Sequence, residues 1–357
     1  MQNHLRLHGL TLSYFTGKLE AYLRVKGVPY EFIEMNVRDF RKCARATGIA
    51  QMPQLETASG EWLTDTTAII ARFEAIGAAP VLKPSKPLDG FFSLFLEDYF
   101  DEWLWRPALY YRWRFDEDAK LMSAQIARTM LRDVPGPFWA KRLSILLRQR
   151  RVFLDQDGVT RANGGAVEAL FLATIDALEP IFATRPHLFG QRPCEADFAL
   201  FGSFFRHFSH DPTPHDVMRR RAPNTLAWVA RLWAATPSKV DAAPAIDGAP
   251  SDLNPFLEEA GASYLPYLEA NARALRERAG RVRATAKGGV FITKPSRYHL
   301  HCLNNLKRAF TALSDGDQHG AAARIGASTS LLREPLDEVG VALTERMWKP
   351  TDRAWRR

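Results

Sequence analysis

Two segments of the sequence carry residue types that perform chemistry at phosphates or metal ions. Gly17 and Lys18 form the pair that ends a phosphate-binding loop. That loop also requires a glycine five residues before the pair and Ser or Thr directly after the lysine. Leu12 and Leu19 occupy these two positions. We therefore exclude a phosphate-binding loop.

A histidine-rich segment contains side chains that commonly ligate transition metals. These are His207, His210, Asp211 and His215. Pro212 and Pro214 interrupt the helical register that would align them on one face. We predict capping and surface roles for these residues, and no bound metal.

Hydroxyl-bearing side chains are concentrated at residues 13–16, between a predicted strand and a predicted helix. Leu5 and Leu7 alternate as in a strand, whereas the apolar pattern from residue 19 to 26 has helical spacing. We expect Thr16 to cap this helix and Gly27 to end it. Ser13, Tyr14 and Thr16 thus lie at the helix N-terminus.

The composition is that of a globular protein. The 357 residues are 46% hydrophobic and 25% charged, with a net charge of +8. The basic residues are dispersed and no nucleic-acid-reading motif accompanies them, so we predict no nucleic-acid partner. Three distant cysteines favour a reducing, cytoplasmic compartment, and no apolar run is long enough to cross a membrane. We predict no membrane partner.

The element order divides the chain into three parts. Residues 1–80 read βαβ and then ββα, with a hairpin at 54–64 and a helix capped by Asp65. Prolines then mark a linker, and periodicity is helical over residues 88–240. Residues 241–357 form a C-terminal extension that we predict to be helical, and the last forty residues give no firm signal.

Three motifs of the first part occur in the order and at the spacing of a known family. They are the segments 13–31, 51–55 (Gln-Met-Pro-Gln-Leu) and 63–70 (Leu-Thr-Asp-Thr-Thr-Ala-Ile-Ile). This pattern resembles the thioredoxin-like N-terminal domain of the cytosolic glutathione transferases. A segment of the helical part, residues 188–200, resembles the family's helix-capping motif, with Cys194 where Ser or Thr is usual. The resemblance covers residues 5 to 240.

The resemblance implies an α/β domain followed by an all-α domain. The thioredoxin-like domain (1–80) would bind glutathione, and the helical domain (88–240) would bind the second substrate. The extension (241–357) lies outside the family pattern. It is similar to an unclassified bacterial branch that shares the acidic runs 97–99 and 101–103.

Glutathione transferases lower the pKa of the glutathione thiol and use the thiolate as a nucleophile. Lowering it from ~8.5 to ~6.5 requires about 2.7 kcal/mol, which one hydroxyl donor and a helix N-terminus supply. Spacing to Gly27 matches the Ser- and Cys-type classes and favours Ser13 as the catalytic residue. Tyr14 is the alternative, and Thr16 is third. Ser13 could also simply cap a turn.

The resemblance also implies glutathione contacts. The backbone of Met52 would pair with the cysteinyl amide as an added strand, next to a cis bond at Pro53. Asp65 and Thr66 would bind the γ-glutamyl group at a helix N-terminus. Arg41 or Lys42 would bind the glycyl carboxylate.

We expect the electrophile pocket in the helical domain, where aromatic residues alternate with arginines. The candidate residues are Trp103, Arg106, Tyr110 and Tyr111. Aromatic residues at this spacing are also typical of a hydrophobic core. The mixture with arginine suits a bulky aromatic or acidic substrate.

The predicted reaction is attack of glutathione thiolate on a hydrophobic or aromatic electrophile, in a homodimer that needs no metal. One alternative is a non-catalytic protein of the same fold that binds a ligand or a partner. Another is a glutathione-dependent ether-cleaving or dehalogenating enzyme. We further hypothesise that residues 263–313 fold over the electrophile pocket.

Overall fold

The computed structural model describes residues 5–337. Residues 338–357, half of the forty that gave no firm signal, lie outside the described residues. The N-terminal domain consists of β1 (Leu5–Gly9), α1 (Tyr14–Lys26), β2 (Tyr30–Glu34), α2 (Val37–Thr47), β3 (Gln54–Glu56), β4 (Trp62–Thr64) and α3 (Thr66–Ala75). The strands form one sheet in the order β2-β1-β3-β4. Only β1 and β2 are parallel; β3 is antiparallel to β1 and to β4.

Helix α1 begins earlier than predicted. Its N-cap is Ser13, whose side chain accepts a hydrogen bond from the backbone N–H of Thr16 at 3.4 Å. Thr16 is therefore inside the first turn and is not the cap, because Ser13 is the last residue with extended backbone angles. Gly27 ends the helix with φ 72°, as predicted.

The helical domain contains ten helices between residues 87 and 242. These are α4 (Pro87–Glu102), α5 (Trp105–Arg114), α6 (Asp116–Thr129), α7 (Phe138–Arg148), α8 (Leu154–Gln156), α9 (Gly164–Thr184), α10 (Glu195–Ser203), α11 (Pro212–Arg221), α12 (Pro223–Trp233) and α13 (Pro237–Ala242). One turn of π-helix, Gln149–Phe153, joins α7 to α8. The buried helix α10 starts at Cys194, whose N–H donates to Asp197 at 3.0 Å. Since the carboxylate of Asp197 also accepts from the N–H of Leu188, it closes the capping segment.

The extension is not entirely helical. It contains α14 (Asn254–Glu259), α15 (Leu265–Arg276), β5 (Val282–Ala286), β6 (Gly289–Thr293), α16 (Arg297–Thr311) and α17 (Asp315–Ile325). The β5–β6 hairpin corrects our prediction. Its two-residue turn has positive φ at both Lys287 and Gly288, the geometry of a type I′ turn. Strand β5 alternates buried and exposed residues, as a strand with one buried face does. Sequence reasoning missed it because the strand is short and its turn is Lys-Gly rather than the Asn-Gly typical of hairpins.

Helix α4 joins the three parts of the molecule through two acidic pairs. Glu97 and Asp101 both accept hydrogen bonds from the buried ammonium group of Lys18 in α1. Asp98 accepts from the Tyr264 hydroxyl of the extension at 2.9 Å. Glu102 lies 3.0 Å from the imidazole of His299, also in the extension. The two pairs are Glu97–Asp98 and Asp101–Glu102. In each pair the first acid binds the N-terminal domain and the second binds the extension.

In the region from residue 5 to 337, we find no helix that combines the length and apolar character needed to cross a bilayer.

Candidate active site

A pocket of about 390 Å³ lies where the three parts of the chain meet. The N-terminal domain contributes Phe15, Gln51, Met52, Pro53, Asp65 and Thr66. The helical domain contributes Asp101, Glu102, Trp105, Arg106, Phe153, Gln156 and Asp157, and the extension contributes Ser296, Tyr298 and His299. The structure thus brings four predicted glutathione-contacting residues to one wall.

The N-terminal wall has the backbone geometry that the resemblance implies. The Met52–Pro53 bond is cis. Within residues 5–337, the backbone N–H and C=O of Met52 have no hydrogen-bond partner. Asp65 caps α3 by accepting from the N–H groups of Thr67 and Ala68, at 3.1 and 3.4 Å. The wall therefore presents an unpaired backbone edge and a helix N-terminus, which together suit an extended peptide with a terminal carboxylate.

Neither of the two hydroxyls favoured for catalysis lines this pocket. Tyr14 is buried, and its hydroxyl donates to the carbonyl oxygen of Phe100 at 2.5 Å. Burial raises the pKa of Tyr14 well above its ordinary value, and the nearby carboxylate of Asp101 adds to this. Ser13 is half-buried, and its oxygen serves as a capping acceptor. Phe15, two residues after Ser13, does line the pocket.

The carboxyl groups of the pocket are buried or half-buried. Burial raises the pKa of Asp65, although Lys18 opposes this shift. Burial also raises the pKa of Glu102 to about 8, with a further increase from Asp65. Glu102 is therefore largely protonated at neutral pH, and the pocket is less negative than its residue types suggest.

Arg106 and Trp103, both predicted for the electrophile site, contact each other but have different roles. Arg106 lines the pocket, while Trp103 is buried in the core against Tyr264 and Tyr267 of the extension. The guanidinium carbon of Arg106 lies 4.1 Å from the centroid of the Trp103 ring. Arg106 donates to the carbonyl of Glu102 at 2.9 Å, but its Nε is buried without a partner. Trp103 thus supports Arg106 rather than lining the site.

The structure places Tyr110 and Tyr111 away from the pocket, which corrects their expected position. Tyr110 donates its hydroxyl to Glu168 at 2.8 Å. Tyr111 is buried against Phe115 and Phe171. Both side chains stabilise the packing of α5 on α9, because the face of α5 that carries them points into the helical domain.

Arg41 and Lys42 are exposed on α2 and do not line the pocket. The ammonium group of Lys42 lies 3.7 Å from the carboxylate of Glu56 and 5.2 Å from the centroid of the Trp62 ring. The structure therefore does not bring them together with Asp65 and Thr66.

Sequence reasoning missed the residues that the extension supplies. The His299 imidazole bridges the Tyr267 hydroxyl, at 2.8 Å, and the Glu102 carboxyl group, at 3.0 Å. Burial and the nearby Arg106 lower the pKa of His299 to about 4, so the ring is neutral at pH 7. From the sequence we hypothesised only that residues 263–313 fold over the pocket, without naming the residues that line it.

One trio of potential metal ligands occurs in the described part of the chain: His8, Asp39 and Cys43. The His8 ring already contacts Asp39 at 2.9 Å and Glu56 at 3.3 Å. Burial raises the pKa of Cys43 to about 12, so its thiol stays protonated. These residues contact one another as a hydrogen-bonded cluster.

Comparison with known proteins agrees with this architecture. Residues 7–80 match the family model of the glutathione S-transferase N-terminal domain. No curated protein sequence matches the chain.

Three solved structures are among those that the chain is similar to. The tau class glutathione S-transferase MiGSTU from mango, Mangifera indica, is 15% identical, with a TM-score of 0.41 over 66% of this chain and 92% of that one. The β-etherase LigF from Sphingobium sp. strain SYK-6 is 19% identical, with a TM-score of 0.47 over 64% and 95%. A glutathione S-transferase from Methylobacterium radiotolerans, in complex with glutathione sulfonate, is 21% identical, with a TM-score of 0.41 over 69% and 97%.

The sheet order, the cis bond before β3, the acid-capped α3 and the buried, capped α10 occur together with the family match over residues 7–80. Residues 7–80 therefore form a domain of the glutathione S-transferase N-terminal family.

Proposed function

We propose that the protein is a glutathione transferase that conjugates glutathione to a hydrophobic or aromatic electrophile. One observation carries the proposal. Met52, Pro53, Asp65 and Thr66 line one wall of a pocket whose opposite wall is built from the helical domain and the extension. A peptide bound on the first wall would direct its thiol toward a second substrate on the other.

Glutathione would bind as an extended peptide. Its cysteinyl amide would pair with the unpaired backbone of Met52, and its γ-glutamyl carboxylate would accept from N–H groups at the start of α3. Asp65 would accept from the γ-glutamyl ammonium group. Lys42 or Arg41 remains our prediction for the glycyl carboxylate, which would have to reach the exposed face of α2.

In the reaction, the glutathione thiol loses its proton to solvent, and the thiolate sulfur forms a bond to the electrophilic carbon. The leaving group departs with the electron pair of the bond that breaks. Ser13 remains our proposed donor to the thiolate. Its oxygen accepts from Thr16, so its hydroxyl proton can still be donated. One such hydrogen bond to a charged group contributes about 1.5–3 kcal/mol.

The test is retention on immobilised glutathione, followed by conjugation of 1-chloro-2,4-dinitrobenzene. We expect Ser13→Ala to lower kcat/KM about 10- to 100-fold, the equivalent of 1.5–3 kcal/mol. Tyr14→Phe should leave kcat/KM within about three-fold, because the Tyr14 hydroxyl is directed at Phe100. Failure to bind glutathione, or activity unchanged in Ser13→Ala and lost in Tyr14→Phe, would contradict the proposed roles.

We further propose that Arg106 selects electrophiles with an anionic group. The buried, unpartnered Nε of Arg106 gives the pocket a donor that a carboxylate would satisfy. We expect Arg106→Gln to raise KM for 4-chloro-3,5-dinitrobenzoate at least about ten-fold and to change KM for the neutral benzamide analogue far less. A parallel rise for both compounds, or for glutathione alone, would assign Arg106 another role.

A non-catalytic binding protein is the second candidate function. It is favoured by the absence of both Ser13 and Tyr14 from the residues that line the pocket. Calorimetry distinguishes the two: glutathione binding without turnover of aryl halides would support this candidate. Release of a phenol from an aryl ether would instead support the ether-cleaving alternative. Homodimer formation remains a prediction, to be tested by light scattering.

A further inference from the structure

Helix α7 exposes a stripe of large apolar side chains. Trp139, Leu143 and Leu147 are 69%, 46% and 38% exposed. They follow one another at intervals of four residues and therefore lie along one side of the helix. We call these three residues the apolar stripe. Phe138 at the start of the helix and Val152 in the following π-helical turn are also exposed.

The segment that carries the apolar stripe is basic throughout. Residues 138–153 contain five basic residues and no acidic residue: Lys141, Arg142, Arg148, Arg150 and Arg151. Arg148 and Arg151 are exposed, whereas Arg150 pairs with Asp116 at 2.7 Å. The apolar stripe is therefore accompanied by positive charge that the protein does not neutralise locally.

The rest of the helix is fixed to the protein. Ile145 is buried, and Arg142 donates to the Ser123 hydroxyl of α6 at 3.2 Å. Lys141 donates to the carbonyl of Leu131 at 2.9 Å. Since α7 already packs on α6 through this face, the apolar stripe points away from the protein.

We propose that residues 138–153 bind the surface of an anionic lipid bilayer, with α7 parallel to the membrane plane. Helices with Trp and Leu on one side and Arg and Lys beside them insert their apolar side chains among lipid headgroups. The arginines then contact anionic headgroups. This peripheral contact requires no membrane-spanning helix, and it revises our prediction that the protein has no membrane partner.

Two other occupants fit the surface less well. A second copy in a symmetric contact would bring the basic side chains of both copies to one interface, where residues 138–153 supply no acidic side chain to pair with them, and like charges repel. A nucleic acid would satisfy the arginines but would leave Trp139 and Leu143 without an apolar environment. An anionic bilayer satisfies both kinds of side chain.

The test is flotation of the full chain with vesicles. One preparation contains phosphatidylcholine alone, and the other contains about one quarter phosphatidylglycerol, each at about 0.1 M and 0.5 M NaCl. We expect flotation with the anionic vesicles only, reduced at high salt. The double variants Trp139→Ser/Leu143→Ser and Arg148→Gln/Arg151→Gln should each lower the partition coefficient at least about ten-fold.

Two control variants distinguish binding through this surface from nonspecific adsorption to vesicles. Ile76→Ser removes an apolar side chain that is also 69% exposed, and Arg219→Gln/Arg220→Gln removes two exposed arginines of α11. Both controls should float like the unmodified protein. All replaced side chains are exposed, so thermal melts should show that the variants fold.

Three results would overturn the proposal: no preference for anionic vesicles, an equal loss in the controls, or self-association in solution that the Trp139→Ser/Leu143→Ser variant abolishes. The last result would identify a second copy as the occupant. Since the apolar stripe lies outside the pocket, Trp139→Ser/Leu143→Ser should leave glutathione conjugation in solution unchanged, and failure of the proposed enzymatic function would not change this test.

Discussion

Lys18 shows how burial decides the role of a residue. In the sequence it is half of an incomplete phosphate-loop motif, whereas in the structure it is fully buried and bonded to Glu97, Asp101 and Thr67. Burial disfavours its ammonium form, but the two carboxylates outweigh this and raise the pKa of Lys18 above its ordinary value. Lys18 therefore stays charged and connects α1 to α4.

We predict that Lys18→Met destabilises the protein by about 3–5 kcal/mol, because two buried carboxyl groups lose their cation. Chemical denaturation measures this change. The control is Lys120→Met, which removes an exposed lysine of α6 and should cost less than about 0.5 kcal/mol. Equal effects of the two substitutions would show that the Lys18 cluster does not stabilise the domain contact.

At the scale of elements, the start of α16 determines what the extension adds to the pocket. Asn271 of α15 donates to the carbonyl of Ser296 at 2.8 Å and accepts from the N–H of Ser296 at 2.7 Å. Ser296 in turn caps α16 by accepting from the N–H of His299. This pair of hydrogen bonds fixes the segment that carries Tyr298 and His299. Because these residues line the pocket, the bonds are a physical basis for the hypothesis that the extension covers it.

We predict that Asn271→Leu raises the electrophile KM several-fold and leaves glutathione affinity unchanged, because the Ser296 segment that Asn271 holds lines the pocket wall opposite Met52 and Pro53. The loss of two buried hydrogen bonds should also cost about 1–3 kcal/mol of stability. Asn305→Leu, which alters a half-buried asparagine of α16, is the control. A fall in glutathione affinity in Asn271→Leu would show that the extension contacts glutathione instead.

For the whole molecule, the acidic face of α4 links stability to pH. Burial raises the pKa of Asp98 to about 8, with a further increase from Glu97, and Glu102 has a similar value. These carboxyl groups keep their protons in the folded state, whereas in the unfolded chain they lose them near pH ~4. The folded state thus binds more protons between these values, and its stability falls as pH rises.

We predict that the free energy of unfolding decreases between about pH 7.5 and 8, where histidines, with a pKa of ~6.5 in the unfolded chain, are about nine-tenths neutral or more in both states. Each buried carboxyl group contributes at most about 1.4 kcal/mol per pH unit. Denaturation at several pH values measures the slope, and Asp98→Asn should flatten it. A stability that increases over this interval would contradict the assignment.

Aromatic contacts make the extension part of the hydrophobic core. Trp103 and Phe91 of the helical domain pack against Phe291 and Phe310 of the extension. We predict that a chain ending at residue 240 will be insoluble or will bind a hydrophobic dye, because it exposes this apolar surface. Point substitutions are therefore the better test of the extension's role in the pocket. A soluble, cooperatively folded truncation would show that the extension is a separate unit.

The sequence by itself determined the local features of this protein. Caps, turn glycines and hydrophobic periodicity depend on neighbouring residues, so they predicted the βαβ-ββα order, the end of α1 at Gly27 and the cap at Asp65. The resemblance to the glutathione transferases predicted the cis bond at Pro53. Short-range patterns could not show which side of a helix faces a distant element. Only the tertiary structure decided that Tyr14 and Trp103 are buried, that Tyr110 and Tyr111 face away from the pocket, and that Ser296 and His299 complete it. These outcomes depend on contacts between residues that are far apart in the chain, among them those of Tyr14 and His299 with α4.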